Sequence, residues 1–315
     1  MNSESQHCPS PYSKAPRCQV LPLPNRQVGF AIDGTERLRW HAGDPTAPRP
    51  YFYPLVGPSG LPLTRMGHPG APNHDHHRSV WFAHHQVLGI DFWGDSTDAR
   101  IRQKEWLCYQ DGDAAAQMAC LLQWFDGHDP TPLIDHRVFV SVSSDDADGT
   151  LVELQCELTS VAESLELGQT NFGLLAVRVA RAISAVFGDG ILTGSSGKQT
   201  EANLFGKSSA WIDYSGSIRP GVTEGITYFD HPSNPSFPSK WHVRDDGWMG
   251  ASICRDEPLQ LKSAEPLTLR YLLHAHGGAA DLARANATAK RFHASRPLTL
   301  VRRPKPHHHA AVRRM

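Results

Sequence analysis

Leu151-Val152-Glu153-Leu154-Gln155-Cys156-Glu157-Leu158 alternates apolar and polar side chains without a break, the two-residue period of a strand with one face on a core and the other in water. Ile134–Val142 and Leu267–Leu273 alternate similarly, and Asp145–Gly149 supplies turn residues that would join the first of these to the Leu151 strand as a hairpin. Leu174–Ile183 suits a helix through Leu174, Val177 and Arg181, but its β-branched residues and flanking Gly173 and Gly188 favour a strand. Only Asp281–His293 reads as helical, with Leu282, Ala285, Ala289 and Phe292 at helical spacing. Gly and Pro number 26 and 24 beside 8 Trp, proportions that suit many short strands joined by tight turns. No repeat of fixed period is visible, which argues against a propeller or solenoid. The reading predicts a mainly β protein with one short C-terminal helix. Residues 17–303 would form a single domain, a β sandwich or a barrel, residues 1–16 a flexible segment, and residues 304–315, with the His307–His309 run, a solvated flexible tail.

Charge narrows the partners. Lys plus Arg total 31 against 32 Asp plus Glu, a net charge of -1, and no basic stripe marks a surface for nucleic acid. No apolar run approaches the roughly 20 residues a membrane-spanning helix requires, and Met1–Lys14 lacks a basic segment followed by an apolar one, which predicts a cytoplasmic protein. Cys8, Cys18, Cys108, Cys120, Cys156 and Cys254 show no C-x-x-C spacing, so they read as idle, buried thiols.

Several familiar motifs fail. Gly194-Ser195-Ser196-Gly197-Lys198 resembles a phosphate loop, but Leu192 stands where Gly is needed and Gln199 where Ser or Thr is needed, leaving a turn. No G-x-S-x-G elbow exists, and the sequon at Asn286 lies on the predicted helix.

Chemistry concentrates in two stretches. The first is Asn73-His74-Asp75-His76-His77-Arg78-Ser79, leading into Trp81, His84, His85 and Trp93. If this segment is extended, His74, His76 and Arg78 share one side. His74 and His76 could hold a divalent metal, while His76 and His77 can exchange protons near neutrality and Arg78 can stabilise an oxyanion. An exposed polar loop would show the same composition; the clustering favours a site. The second stretch is Tyr228-Phe229-Asp230-His231-Pro232-Ser233-Asn234-Pro235, closing on Lys240-Trp241-His242-Val243-Arg244. Asp230, His231 and Asn234 offer a base, an acid and an amide, and Trp241 could stack on a sugar face. A Pro-rich loop sealed by a buried Trp reads equally well.

The chain resembles the bacterial family labelled methane oxygenase PmoA. The resemblance rests on Arg49–Leu55, Asn73–Ser79 with Gly89–Trp93, Gly206–Gly216, His231–Pro235 and Leu267–Tyr271, over about residues 27–295; it departs at His74 and Ser79. The resemblance implies a large, twisted antiparallel β-supersandwich like that of galactose mutarotases, and a carbohydrate role. Methane oxidation itself is excluded, because the membrane enzyme needs spanning helices and this chain offers none. The expected function is an acid–base sugar isomerase, epimerase or lyase, with small carbohydrates as ligands. His76 and His77 would be acid and base, Asp230 would assist, Arg78 and Lys207 would stabilise negative charge, and His231, Asn234 and Trp241 would bind the sugar. The alternatives are a non-catalytic glycan-binding module, and a mononuclear metal enzyme using His74 and His76 with His231 or Asp75.

Overall fold

A computed structural model describes residues 15–305 and 308–315. Apart from Ala15 and Pro16, the segment expected to be flexible at the N-terminus lies outside the described residues, as does His307. The chain is mainly β. One eight-stranded sheet runs, in spatial order, through Cys18–Leu23, Gln27–Ile32, Thr35–His41, Tyr51–Leu55, Val80–His84, Gly173–Arg178, Trp248–Ser252 and Lys240–Arg244. A second runs through Ile191–Gly194, Trp211–Arg219, Val222–Asp230, Leu267–Gly277, Thr150–Ser160, Ile134–Ser144, Ala116–Phe125 and Arg100–Gln110. Their pairings are antiparallel, and the two sheets pack face to face as an antiparallel supersandwich.

The alternating stretch around Leu154 is the strand Thr150–Ser160, in the interior of the second sheet. Its Val152, Leu154, Cys156 and Leu158 meet Phe30, Trp40, Phe52, Leu175 and Val177 of the first sheet in one continuous apolar cluster. The hairpin into it closes as expected: the Asp145 carboxylate accepts the N–H groups of Ala147 and Gly149 at 2.9 and 2.7 Å, and Asp148 turns the chain at φ 59°.

The opposite face of this strand is not wet. Glu153 and Gln155 are 6% and 1% exposed. Gln155 bonds the N–H and carbonyl of Leu298 at 2.8 and 2.7 Å, and Glu153 accepts from Arg270 at 2.9 Å and from Arg314. Part of this cover, the segment that carries Arg314, comes from residues the sequence reading assigns to a solvated tail. His308–Arg314 pairs with Leu298–Lys305 instead, and Leu298 and Val312 are buried on Cys108, Ala119 and Phe139. The short apolar run Ala310-Ala311-Val312 makes this possible, since it gives the strand one face to bury.

The predicted helix is Leu282–His293, capped by the Asp281 side chain accepting from Arg284 N–H at 3.0 Å. Its buried face is Ala285, Thr288, Ala289 and Phe292, resting on Trp211, Phe229 and Leu272, while Leu282 is exposed. Asn286 accepts the Trp211 indole N–H at 2.9 Å. Leu174–Ile183 divides into the strand Gly173–Arg178 and a single 3-10 turn at Arg181–Ile183; one further helical turn, Glu201–Leu204, has no clear signal in the sequence. Among the described residues no helix is long and apolar enough to cross a membrane.

Two predictions follow from this packing. Truncating Phe292 to Ala removes the largest anchor of the helix and should lower stability by about 3–5 kcal/mol in urea titrations; a loss below about 1 kcal/mol would mean that the helix is not seated there. His84 and His136 are buried in the first and second sheets, and burial lowers them to about 4 and about 3. An unfolded imidazole near 6.5 binds a proton that the folded one refuses, so this stability is complete above about pH 6.5 and is lost as pH falls toward those values. His136→Phe should flatten the decline in urea midpoint between about pH 6.5 and about pH 4, and an unchanged slope would remove His136 as a cause.

Candidate active site

Cross-strand register builds a surface on the outer face of the first sheet. Arg178, Trp248 and Arg244 lie opposite one another on three adjacent strands. One step along, Trp81, Ala176, Gly250 and His242 form a second row across four. Residues two apart share a face, so both rows look outward, away from Leu175, Val177 and Val243. Ala176 and Gly250 leave the centre of the second row low. The Trp248 indole leans into that space: a Cβ on Gly250 would lie 3.6 Å from its Nε1.

The cover comes from the chain between the strands Tyr51–Leu55 and Val80–His84 and from two further loops. The His77 ring stacks on Trp81 at 5.3 Å and 20° and lies 4.4 Å from Trp248. Trp93 lies 5.3 Å from both Trp81 and Trp248. Phe172 meets His242 edge-on at 5.1 Å. Between cover and sheet is a cavity of about 270 Å³, lined by His74, His77, Phe172, Arg178, His242, Arg244, Asp246 and Trp248.

One ion pair organises its floor. Arg178, 1% exposed, pairs with the Asp246 carboxylate at 2.8 Å and donates to the Asp246 carbonyl at 3.1 Å. Its other terminal nitrogen donates to Nδ1 of His77. The second Asp246 oxygen meets His68 Nε2 at 3.0 Å. Burial works to raise the Asp246 carboxyl, but Arg178 and His68 hold it below its usual value. Burial, then Arg178, pushes His77 far below the ordinary imidazole range, and burial followed by Arg244 lowers His242 to about 4. Both imidazoles are therefore neutral at pH 7. Around them the indole N–H groups of Trp81, Trp93 and Trp248, Nε of Arg178 and Nδ1 of His242 are buried without hydrogen-bond partners, an unusual concentration for native protein.

The predicted site residues separate. His74 and His77 line the cavity, and from Lys240–Arg244 so do His242 and Arg244. Pro72–His74 is a 3-10 turn rather than an extended segment, so strand alternation does not place His74, His76 and Arg78. His76 packs 4.1 Å from His77 with Nδ1 against the Asn73 carbonyl at 3.0 Å, and burial followed by Arg49 lowers it to about 4. Arg78 turns away to Asp95 at 2.7 Å. Trp241 points into the core, its indole donating to the Ser209 carbonyl at 2.7 Å, on the face opposite its neighbour His242. Lys207 is exposed and contributes its carbonyl to Trp241 N–H at 3.1 Å.

Asp230 and Asn234 scaffold their own loop. The Asp230 carboxylate accepts from His231 N–H, Asn234 Nδ2 and Ser239 N–H at 3.0, 2.6 and 2.9 Å, while Asn234 bonds both backbone groups of Arg270. His231 faces a different cavity, of about 760 Å³, on the outer side of the second sheet, with Arg270 2.9 Å from its Nε2. The expected convergence of His231, Asn234 and Trp241 with the His74–Arg78 segment is thus absent. Among the described residues no three His, Cys, Asp or Glu side chains group to hold a metal ion, and Asp75 is engaged with the N–H of His68 at 2.9 Å.

Sequence reasoning missed Arg178, Asp246, Trp248 and Phe172. A charged residue closing the apolar run Leu174–Val177 was the available signal for Arg178; Asp245-Asp246-Gly247 reads only as a turn.

Arg49, 2% exposed, bolts the cover in place. It donates to the carbonyls of Phe92, Trp93 and Gly94, reaches the His76 carbonyl at 3.4 Å and pairs with Asp95 at 3.0 Å. Burial lowers this guanidinium to about 10, against the pull of Asp95. Arg49→Met should reduce the near-ultraviolet circular dichroism of the tryptophan cluster and cost about 3–5 kcal/mol; an unchanged spectrum would show that the cover holds without it.

Comparison with known proteins places the chain in a family. The model of the "Family of unknown function (DUF6807)" matches residues 27–290, and the chain belongs to that family. This corrects the resemblance drawn from the sequence, because nothing connects the matched family with a methane oxygenase label. No curated protein matches the sequence. Similar solved structures include a candidate mutarotase from Salmonella typhimurium (11% identity, TM-score 0.35, 82% of this chain and 93% of that one). A GalM/aldose epimerase homologue from C. elegans (8%, 0.35, 84% and 99%) and a 4-alpha-glucanotransferase from Thermococcus litoralis (7%, 0.36, 83% and 40%) are also similar. At these scores the likenesses carry no argument about chemistry.

Proposed function

We propose that the cavity over Trp248 is the active site of an acid–base isomerase, epimerase or lyase acting on a sugar or oxidised sugar. The observation that carries this reading is the pairing of indole and phenyl surfaces with polar groups over a low sheet centre. Aromatic faces cover the C–H faces of a sugar ring, while the polar groups between them meet its oxygens. A volume of about 270 Å³ suits a single small molecule. His242 is neutral, with a buried and unpaired Nδ1, and is assigned the proton-accepting role. His77, held by Arg178, stabilises negative charge that develops on oxygen. The five described cysteines, Cys18, Cys108, Cys120, Cys156 and Cys254, are buried free thiols, which fits a reducing compartment and supports a cytoplasmic assignment.

A glycan-binding module is the second reading, favoured by the same aromatic surface. A panel of aldoses, ketoses and uronates, scored by calorimetry for binding and by proton exchange in D₂O for turnover, separates the two. Trp248→Ala should abolish binding under either reading. His242→Ala should keep affinity within about threefold and lower exchange roughly 10²- to 10⁴-fold. Binding without exchange in the wild-type protein would sink the enzymatic reading, and absence of binding across the panel would sink both.

A further inference from the structure

Arginine carries only donors. The His77 Nδ1 that faces Arg178 must therefore be an acceptor, and the single proton of the neutral ring sits on Nε2. Arg178 has little freedom to release it. The guanidinium is buried, anchored by the side chain and carbonyl of Asp246, and its Cζ lies over the Trp248 ring, 5.5 Å from the centroid. Swinging away would leave a charge unpaired out of water.

The remaining polar atoms are one-sided. Of the lining residues, Trp248 has an indole N–H with no acceptor and Arg178 its Nε–H; Trp81 and Trp93, packed 5.1 and 5.3 Å from Trp248, carry unpartnered indole N–H groups beside them. Against these donors stand two buried acceptors of the cavity lining without a hydrogen bond, Nδ1 of His242 and Oδ1 of Asp246, the latter already ion-paired with Arg178 at 2.8 Å. A hydroxyl both gives and takes hydrogen bonds, whereas a carboxylate only takes them, so a carboxylate is the better complement.

We infer that Arg178 is a positioning residue that holds His77 as a fixed Nε2–H donor, and that the ligand is a carboxylate-bearing polyol of the uronate or aldonate class. The ligand half rests on the carbohydrate reading above; the tautomer half stands on the geometry alone. His77 then serves as a donor to ligand oxygen and not as the base that its sequence context suggests.

Imidazole ¹⁵N spectra of the full chain test the tautomer, with the His77 signals identified by their loss in His77→Gln. The expected result is a bare Nδ1 and a protonated Nε2 that do not titrate between about pH 5 and about pH 8. A protonated Nδ1, or titration within that range, overturns the inference. Arg178→Met should let the single proton distribute over both ring nitrogens, and a ring that stays protonated on Nε2 alone overturns the positioning role of Arg178; if that variant does not fold, the wild-type spectrum still decides. The ligand half is read by tryptophan fluorescence with D-glucuronate, D-glucose and sorbitol. Glucuronate should bind roughly 10- to 100-fold more tightly than sorbitol. His77→Gln, which keeps a donor, should hold that preference, and His77→Leu should lose it. Equal affinity for glucuronate and the neutral compounds overturns the carboxylate assignment while leaving a sugar site, and failure of all three to bind overturns the carbohydrate reading with it.

Discussion

A guanidinium withdrawn from water must be met by a carboxylate or by several carbonyl oxygens, and Arg178 imposes that requirement on the outer face of the first sheet. Its partner Asp246 lies in the turn joining Lys240–Arg244 to Trp248–Ser252. That same turn receives Arg65 at the Asp246 carbonyl and His68 at the carboxylate. A single carboxylate thus ties a central strand, an outer hairpin and the covering loop together. The space beneath the loop stays open because the loop's position is set by charge pairing and not by how closely it can collapse onto the tryptophans.

The same device recurs at two other places where irregular chain is laid over a sheet. Arg49 gathers the carbonyls of Phe92, Trp93 and Gly94. Arg270 takes the carbonyls of Ser295 and Arg296 and the Glu153 carboxylate. In each place backbone oxygens that no ladder can pair are satisfied by a planar, multi-donor side chain. Loops at both outer faces are therefore fixed in position.

How much of this the residues announce depends on the range of the interaction. Thr150–Ser160, its hairpin and the Leu282–His293 helix are legible because periodicity and capping are local properties of the chain. The cover over Glu153 and Gln155 is not, because alternation reports that one face is polar and cannot say whether water or another strand will meet it. His74 and His77 are found by clustering. Their partners are not, since Arg178 and Trp248 reach them only through the register of strands far apart in sequence. Trp241 shows the same limit in reverse: next to His242 in the chain, it lies on the other side of the sheet, and a strand reading without a register could not choose between them.

The outer wall of the cavity is also the last strand of its sheet. Lys240–Arg244 is laddered to Trp248–Ser252 on one side and meets the Gly206–Ser208 loop on the other, through a bridge to Ser208 and backbone hydrogen bonds of Trp241 with Lys207 and Gly206 at 3.1 and 2.7 Å. An edge strand can detach at a fraction of the free energy needed to unfold the whole domain, and with it would move His242 and Arg244. Local opening of that hairpin would therefore reshape this wall of the cavity first, and its peripheral amides would exchange with solvent ahead of those at the sheet centre.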